Sequence, residues 1–208
     1  MGNVAAYHAR LKDHDLIDCG LTPKGHEEAR NIPKCLGEQA YQQIELVLSS
    51  PLTRALQTAV TAFPSKPVMV HYDLREFGGK AIIPENTPRK MKDVLSDLKG
   101  ILVHESLDAE TLQPERWPRD HDTPPKVIRR DHIREVFQWI GGRPEMCVAV
   151  VCHYHVIRAA LEDPWNSTAG PNVHPKNGIP IACELSVLNG RVRLTILPNE
   201  AEPMDMEV

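Results

Sequence analysis

Three short stretches of this chain carry side chains able to hold an anion and move a proton. In Ser49-Ser50-Pro51-Leu52-Thr53-Arg54, a guanidinium falls in the first turn of a predicted helix. Unpaired backbone N–H groups and the helix dipole favour negative charge there, and arginine adds a forked donor, so the segment reads as an anion site. A solvated surface arginine is the plain alternative. The run Cys147–His153 ends an apolar stretch on His153, a pattern that by itself describes a packing histidine more often than a catalyst. Glu76, in Asp73-Leu74-Arg75-Glu76, has the type of a general acid or base, although pairing with Arg75 is the blander reading.

Two other constellations are weaker. Cys147, Cys152, His153 and His155 are metal-ligand types within one stretch. Strand alternation sends Cys147 and Cys152 to opposite faces, and no C-x-x-C spacing supports zinc, so no metal is expected. A serine hydrolase built on Ser49 or Ser50 lacks a G-x-S-x-G elbow.

The elements that must position these residues alternate between strand and helix. Ile44–Leu48 has no helical period and reads as a buried parallel strand. Leu52, Ala55, Leu56, Ala59, Val60 and Phe63 then recur at helical spacing, with Ser50 as N-cap and Pro51 as first helical residue. Val68–Tyr72 is a second strand, and 87–99 a helix with Met91, Val94, Leu95 and Leu98 on one stripe and Gly100 past its end. Val127–Ile140 is another amphipathic helix. Cys147–Val151 is the clearest buried strand, followed by a helix from His155 to about Glu162. Ile181–Leu188 and Arg191–Leu197 flank Asn189-Gly190, a hairpin signal. The expected fold is α/β: a three-layer arrangement of a mostly parallel sheet with helices on both faces and a C-terminal antiparallel hairpin. Ligands bind outside the carboxyl ends of such strands, and Arg54, Glu76 and His153 all follow one.

Composition bounds the rest. The 208 residues suit one domain, with 41% hydrophobic and 25% charged residues, as in an ordinary globular chain. A net charge of -4 lacks the basic face a nucleic-acid partner needs. Apolar runs are too short for a membrane span, no leader is visible, and Ala6 stands where a myristoylation motif wants Ser or Thr; a cytoplasmic protein is expected. Five scattered cysteines argue for buried reduced thiols rather than disulfides. The 18 prolines gather in 84–88, 114–125 and 164–180, which read as loops.

Taken in order, these stretches resemble the histidine phosphatase (phosphoglycerate-mutase-like) superfamily, particularly its plant, fungal and algal branch. Leu21-Thr22-Pro23-Lys24-Gly25, followed by a helical His26–Arg30, is similar to the L-T-P-x-G segment. Leu46–Ala59, LVLSSPLTRALQTA, resembles the S-P-L-x-R-A-x-Q-T-A signature, the most specific of the matches. Leu74-Arg75-Glu76 resembles the segment with the acid/base glutamate, Val148–Ile157 the strand delivering a second histidine, and Cys183-Glu184-Leu185 the closing strand. The resemblance implies a phosphohistidine mechanism on a phosphomonoester. In it Arg54 clamps phosphate, Glu76 donates the proton and His153 is the second histidine, with neither metal nor cofactor. The partner implied is a phosphorylated small molecule or phosphoprotein. Residues from about 84 to 125 lie where the superfamily builds a substrate lid over a single domain spanning 1–208; its Arg89, Lys90 and Lys92 could meet a second anionic group, though a solvated helix face is the plainer reading.

One departure bears on catalysis. The family nucleophile lies in R-H-[GA] after an apolar first strand, and no R-H-G or R-H-A occurs here. In one alignment Tyr7-His8-Ala9-Arg10 replaces the motif, with Val4–Tyr7 as a remnant strand and His8 as nucleophile. In the other, Asn3-Val4-Ala5 matches the residues after the motif, and the first strand lies upstream of Met1. The second is favoured because a four-residue strand at the terminus is very short. A truncated first strand should expose apolar neighbours such as Val148 and Val150. Asn3 and Arg10 can approach phosphate in either alignment, while His14, His26 and His155 are expected at the surface or in support of the site.

Overall fold

The structure is a computed structural model and describes residues 14–76, 84–98, 130–162, 173–189 and 191–198. Three parallel strands, β1 (Leu46–Ser49), β2 (Val68–Val70) and β3 (Val148–Val151), pair in the order β2-β1-β3. Val47 lies opposite Val68 on one side and Ala149 on the other. A separate antiparallel hairpin joins β4 (Cys183–Leu188) to β5 (Arg191–Ile196), with Leu185 opposite Leu194. Asn189 turns it with a positive φ of 52°, a conformation asparagine tolerates better than most residues. The α/β architecture with a closing hairpin is therefore as expected, and among the described residues no strand precedes β1. Residues 1–13, including His8, Asn3, Arg10 and Val4–Tyr7, lie outside the described residues, as do 99–125 of the expected lid and 127–129 of the helix expected over Val127–Ile140.

Period-two alternation divides the core. Val47, Val68, Val70, Ala149 and Val151 pack with Ile32 of α1 (Pro23–Leu36), Leu56 and Val60 of α3 (Thr53–Ala62), and Val94 and Leu98 of α4 (Met91–Leu98). Between α1 and β1 runs a short helix, α2 (Glu38–Gln43). On the other face, Leu46, Leu48, Val148 and Val150 meet Ile133 and Val136 of α5 (Arg130–Gly141), Val156 and Ala160 of α6 (Tyr154–Leu161), and Leu194 of the hairpin. β1 is buried at every position, whereas every β3 residue is half-buried.

Several boundaries move, each for a physical reason. α3 begins at Thr53 rather than Pro51, and Ser50 is not its cap. Ser50 still belongs to the sheet, its N–H donating to Val151 O at 3.0 Å. The carboxylate of Asp18 caps α3 instead, accepting from Thr53 N–H and Thr53 Oγ1–H, both at 2.8 Å. β2 stops at Val70 because the chain tightens into a 3-10 turn at Tyr72–Leu74. α4 begins at Met91 rather than Thr87, with Lys90 O accepting from Asp93 and Val94. α1 is longer than the His26–Arg30 reading: Thr22 accepts from Gly25 N–H at 3.1 Å, Pro23 fits the first turn, and the helix runs through Pro33. α2 buries no residue, so it offers no apolar stripe to read.

The cysteines are free, but they are less buried than expected. Cys35 is exposed and Cys19, Cys147, Cys152 and Cys183 are half-buried. Among the described residues no helix is long and apolar enough to cross a membrane.

Candidate active site

Because β1, β2 and β3 run parallel, their carboxyl ends lie together, and each leads to one candidate side chain. β1 leads through Ser50-Pro51-Leu52 into α3 and places Arg54 in its first turn. β2 leads through the turn at Tyr72–Leu74 to Glu76, and β3 leads to His153, the residue before α6. Arg54, Glu76 and His153 line a single cavity of about 780 Å³. Glu76 and His153 are buried at 8% and 7% exposure, so neither is a solvated surface group.

Local contacts fix each group. His153 Nε2 lies 2.8 Å from Ser50 Oγ, which also accepts from Leu52 N–H at 3.3 Å. Glu76 Oε2 lies 3.3 Å from His155 Nδ1 and accepts from the backbone N–H of His155 at 3.4 Å. Arg54 donates through Nη1 to Glu85 O and through Nη2 to Asn86 Oδ1, the latter at 2.8 Å. Residues 84–86 thus hold the guanidinium over the carboxyl end of the sheet.

Electrostatics set the resting state. Burial holds the His153 imidazole well below its usual range, and the Arg54 charge pushes the same way, so the ring is neutral at pH 7. Burial also lowers the Arg54 pKa, opposed by Asp18, Cys19, Glu76 and Glu85, and the guanidinium remains charged. Burial pushes the neighbouring Cys152 thiol up to about 12, so it is neither a thiolate nor a nucleophile.

A stability prediction follows from His153. Its folded pKa is depressed, so below pH 6.5 the unfolded chain takes up a proton that the folded chain refuses. Stability should therefore fall with pH below that value, by about 1.4 kcal/mol per pH unit until the folded pKa is reached. Urea unfolding of the wild type and His153→Gln between pH 7 and 5 checks this. The variant's stability should fall less steeply than the wild type's; parallel profiles would exclude a buried neutral imidazole.

The expected residues Arg54, Glu76 and His153 are thus brought together, and His155 supports the site through Glu76. Arg89 plays a different part from the one considered for it. Its Nη2 donates to Thr53 Oγ1 at 3.0 Å and to Asp97 Oδ2 at 2.6 Å, and its Nε lies 3.7 Å from Asp18 Oδ2. It is tied into the frame rather than aimed at a second anion. Cys147 and Cys152 pack into opposite cores, and among the described residues no cluster of three or more His, Cys, Asp or Glu could hold a metal. Sequence reading missed Asp18, Ser50 as the His153 partner, Asn86, and Gln57, whose Oε1 accepts from Leu21 N–H at 2.6 Å. Asp18 gave no signal because its partners lie 35 and 71 residues away.

The model of the histidine phosphatase superfamily (branch 1) matches residues 9–170. The chain belongs to this superfamily. The match to the histidine phosphatase model begins one residue after His8. Among solved structures, a candidate alpha-ribazole-5'-P phosphatase from Escherichia coli is similar at 18% identity, covering 86% of this chain and 85% of its own, with a TM-score of 0.51. TTHB049 from Thermus thermophilus shares 19% identity over 85% of this chain and 82% of its own, with a TM-score of 0.43. At these identities the first likeness bears on the histidine phosphatase fold alone. No curated protein sequence matches the chain.

Proposed function

We propose that the chain binds a phosphomonoester, carried by a small molecule or a protein, and transfers its phosphoryl group through a phosphohistidine. The observation that carries this reading is the shared cavity of Arg54, Glu76 and His153. The phosphoryl oxygens face the Arg54 guanidinium and the His153 ring, donors suited to charge that grows in the transition state. A histidine imidazole attacks phosphorus in line as the ester P–O bond breaks, and Glu76 serves as the general acid for the leaving oxygen. Water then attacks phosphorus, forming a P–O bond as the P–N bond breaks while Glu76 takes its proton, which releases phosphate and free histidine; a second hydroxyl in place of water makes the reaction a mutase step. His8 is the nucleophile candidate within this chain.

The test is rapid acid-free quenching with a ³²P-labelled phosphomonoester. An acid-labile, base-stable label on the protein, lost in His8→Ala, is expected. No label, with inorganic phosphate still raising the melting temperature, would instead leave a non-catalytic phosphate binder.

Both readings predict proton uptake. An anion beside neutral His153 raises its pKa, so sulfate, which stays a dianion throughout, should bind more tightly as pH falls from 7 to 6. Calorimetry in buffers of different ionisation enthalpy measures the uptake directly. Equal heats in all buffers would remove His153 from the anion site.

A further inference from the structure

We propose that His155 is a positioning residue that passes protons between Glu76 and solvent, so that Glu76 can act as general acid and then as general base. The inference rests on the phosphohistidine reading above and assigns the source of the proton which that reading needs. Two contacts join the pair. His155 Nδ1 lies 3.3 Å from Glu76 Oε2, and the backbone N–H of His155 donates to the same oxygen at 3.4 Å. Both are long hydrogen bonds, as contacts in a resting site often are before a ligand tightens them.

The meeting of a turn and a helix start creates this pairing. The turn at Tyr72–Leu74 brings Glu76 to the beginning of α6. His153 precedes that helix, so Tyr154 and His155 are its first two residues. While His153 is buried against Ser50, the His155 side chain is 56% exposed, compared with 11% for that of Glu76. The Tyr154 ring stands T-shaped against the His155 ring, their centroids 5.2 Å apart. Farther along α6, Arg158 pairs with Glu162 at 2.6 Å and lies over the Tyr154 ring. Among the described residues, Glu76 is thus the carboxylate joined to His155.

A carboxylate must gain a proton before it can act as an acid. Imidazole exchanges protons near neutral pH and carries two nitrogens, so it can give a proton on one side and recover one on the other. The other two groups of the site lack this property. A guanidinium such as Arg54 does not give up its proton, and His153 is neutral, buried and bonded to Ser50. In the first half-reaction the Nδ1–H bond of a His155 imidazolium breaks as an O–H bond forms on Glu76, leaving neutral imidazole. Glu76 then gives that proton to the leaving oxygen as the ester P–O bond breaks. In the second half the proton of the attacking water passes to Glu76 and back to Nδ1, which restores the imidazolium and the carboxylate.

The test follows single turnovers of the full chain with two substrates. Phenyl phosphate has a leaving group that needs a proton, whereas 2,4-dinitrophenyl phosphate loses a stable anion. At pH 7, His155→Gln should slow phenol release at least about tenfold more than dinitrophenolate release, since general acid catalysis contributes about 10²–10⁴-fold. Glutamine keeps an N–H for Glu76 but cannot transfer it, so phenol release at the wild-type rate in His155→Gln would overturn the proposal. Combining His155→Gln with Glu76→Gln should slow phenol release no further than Glu76→Gln alone, because the proton passes through both groups. Additive losses would also overturn it. Wild-type turnover with equal losses for the two substrates would refute the part given to His155 and leave the phosphohistidine reading standing. Wild-type protein that releases neither product would refute both.

Discussion

Arg54→Ala should weaken binding of inorganic phosphate or vanadate about 10- to 100-fold. Hydrogen bonds to charged groups are worth about 1.5–3 kcal/mol each, and each 1.4 kcal/mol is tenfold in affinity. The guanidinium stands in the first turn of α3, where the helix dipole adds to its attraction for an anion. Arg54→Lys keeps the charge but loses the fork, so it should recover only part of the affinity. Because Arg54 also holds Glu85 O and Asn86 Oδ1, thermal melts of each variant must accompany the calorimetry. Undiminished affinity in a folded Arg54→Ala protein would place the anion site elsewhere.

Asp18→Ala should cost about 2–4 kcal/mol of stability, combining loss of a helix cap with buried donors left without an acceptor. Asp18 is fully buried and joins three segments: its own, the start of α3 through Thr53, and 84–89 through Arg89 and Pro84. The cost is held below that of an ideal buried pair because burial raises the Asp18 pKa despite the bonds from Thr53 and Arg89. Asp18→Asn keeps an acceptor for Thr53 N–H and should lose about half as much. Urea denaturation at pH 7 separates the two variants. Asp18 also acts against His153 on acidification. Its raised folded pKa means that the folded chain takes up a proton first, so stability is gained as pH falls through that pKa towards 3.8. A loss below about 1 kcal/mol for Asp18→Ala would show that the cap and the 84–89 anchor contribute little.

Much of the fold was legible because its strands are short, apolar and followed by amphipathic helices. LVLS, VMV and VAVV could be placed by composition, and the stripe of Met91, Val94, Leu95 and Leu98 by spacing. Parallel topology then predicted that Arg54, Glu76 and His153 would meet, since each follows a strand. What was hidden depends on tertiary contact. Ser50 looked like a cap because serine before proline usually is one, but the sheet claims its N–H and Asp18 takes the role. The engagement of Arg54 by Asn86, and of Glu76 by His155, joins residues 32 and 79 positions apart, which no local pattern encodes. The expectation that Val148 and Val150 would be uncovered came from the family pattern rather than from periodicity, and both are half-buried.

The most direct test of the shared oxyanion pocket is a crystal structure of the protein with orthovanadate. Vanadate should sit in the cavity at the carboxyl ends of β1, β2 and β3, within hydrogen-bonding reach of the Arg54 guanidinium and the His153 ring, with Glu76 on its rim. Vanadate bound away from all three side chains would contradict the account.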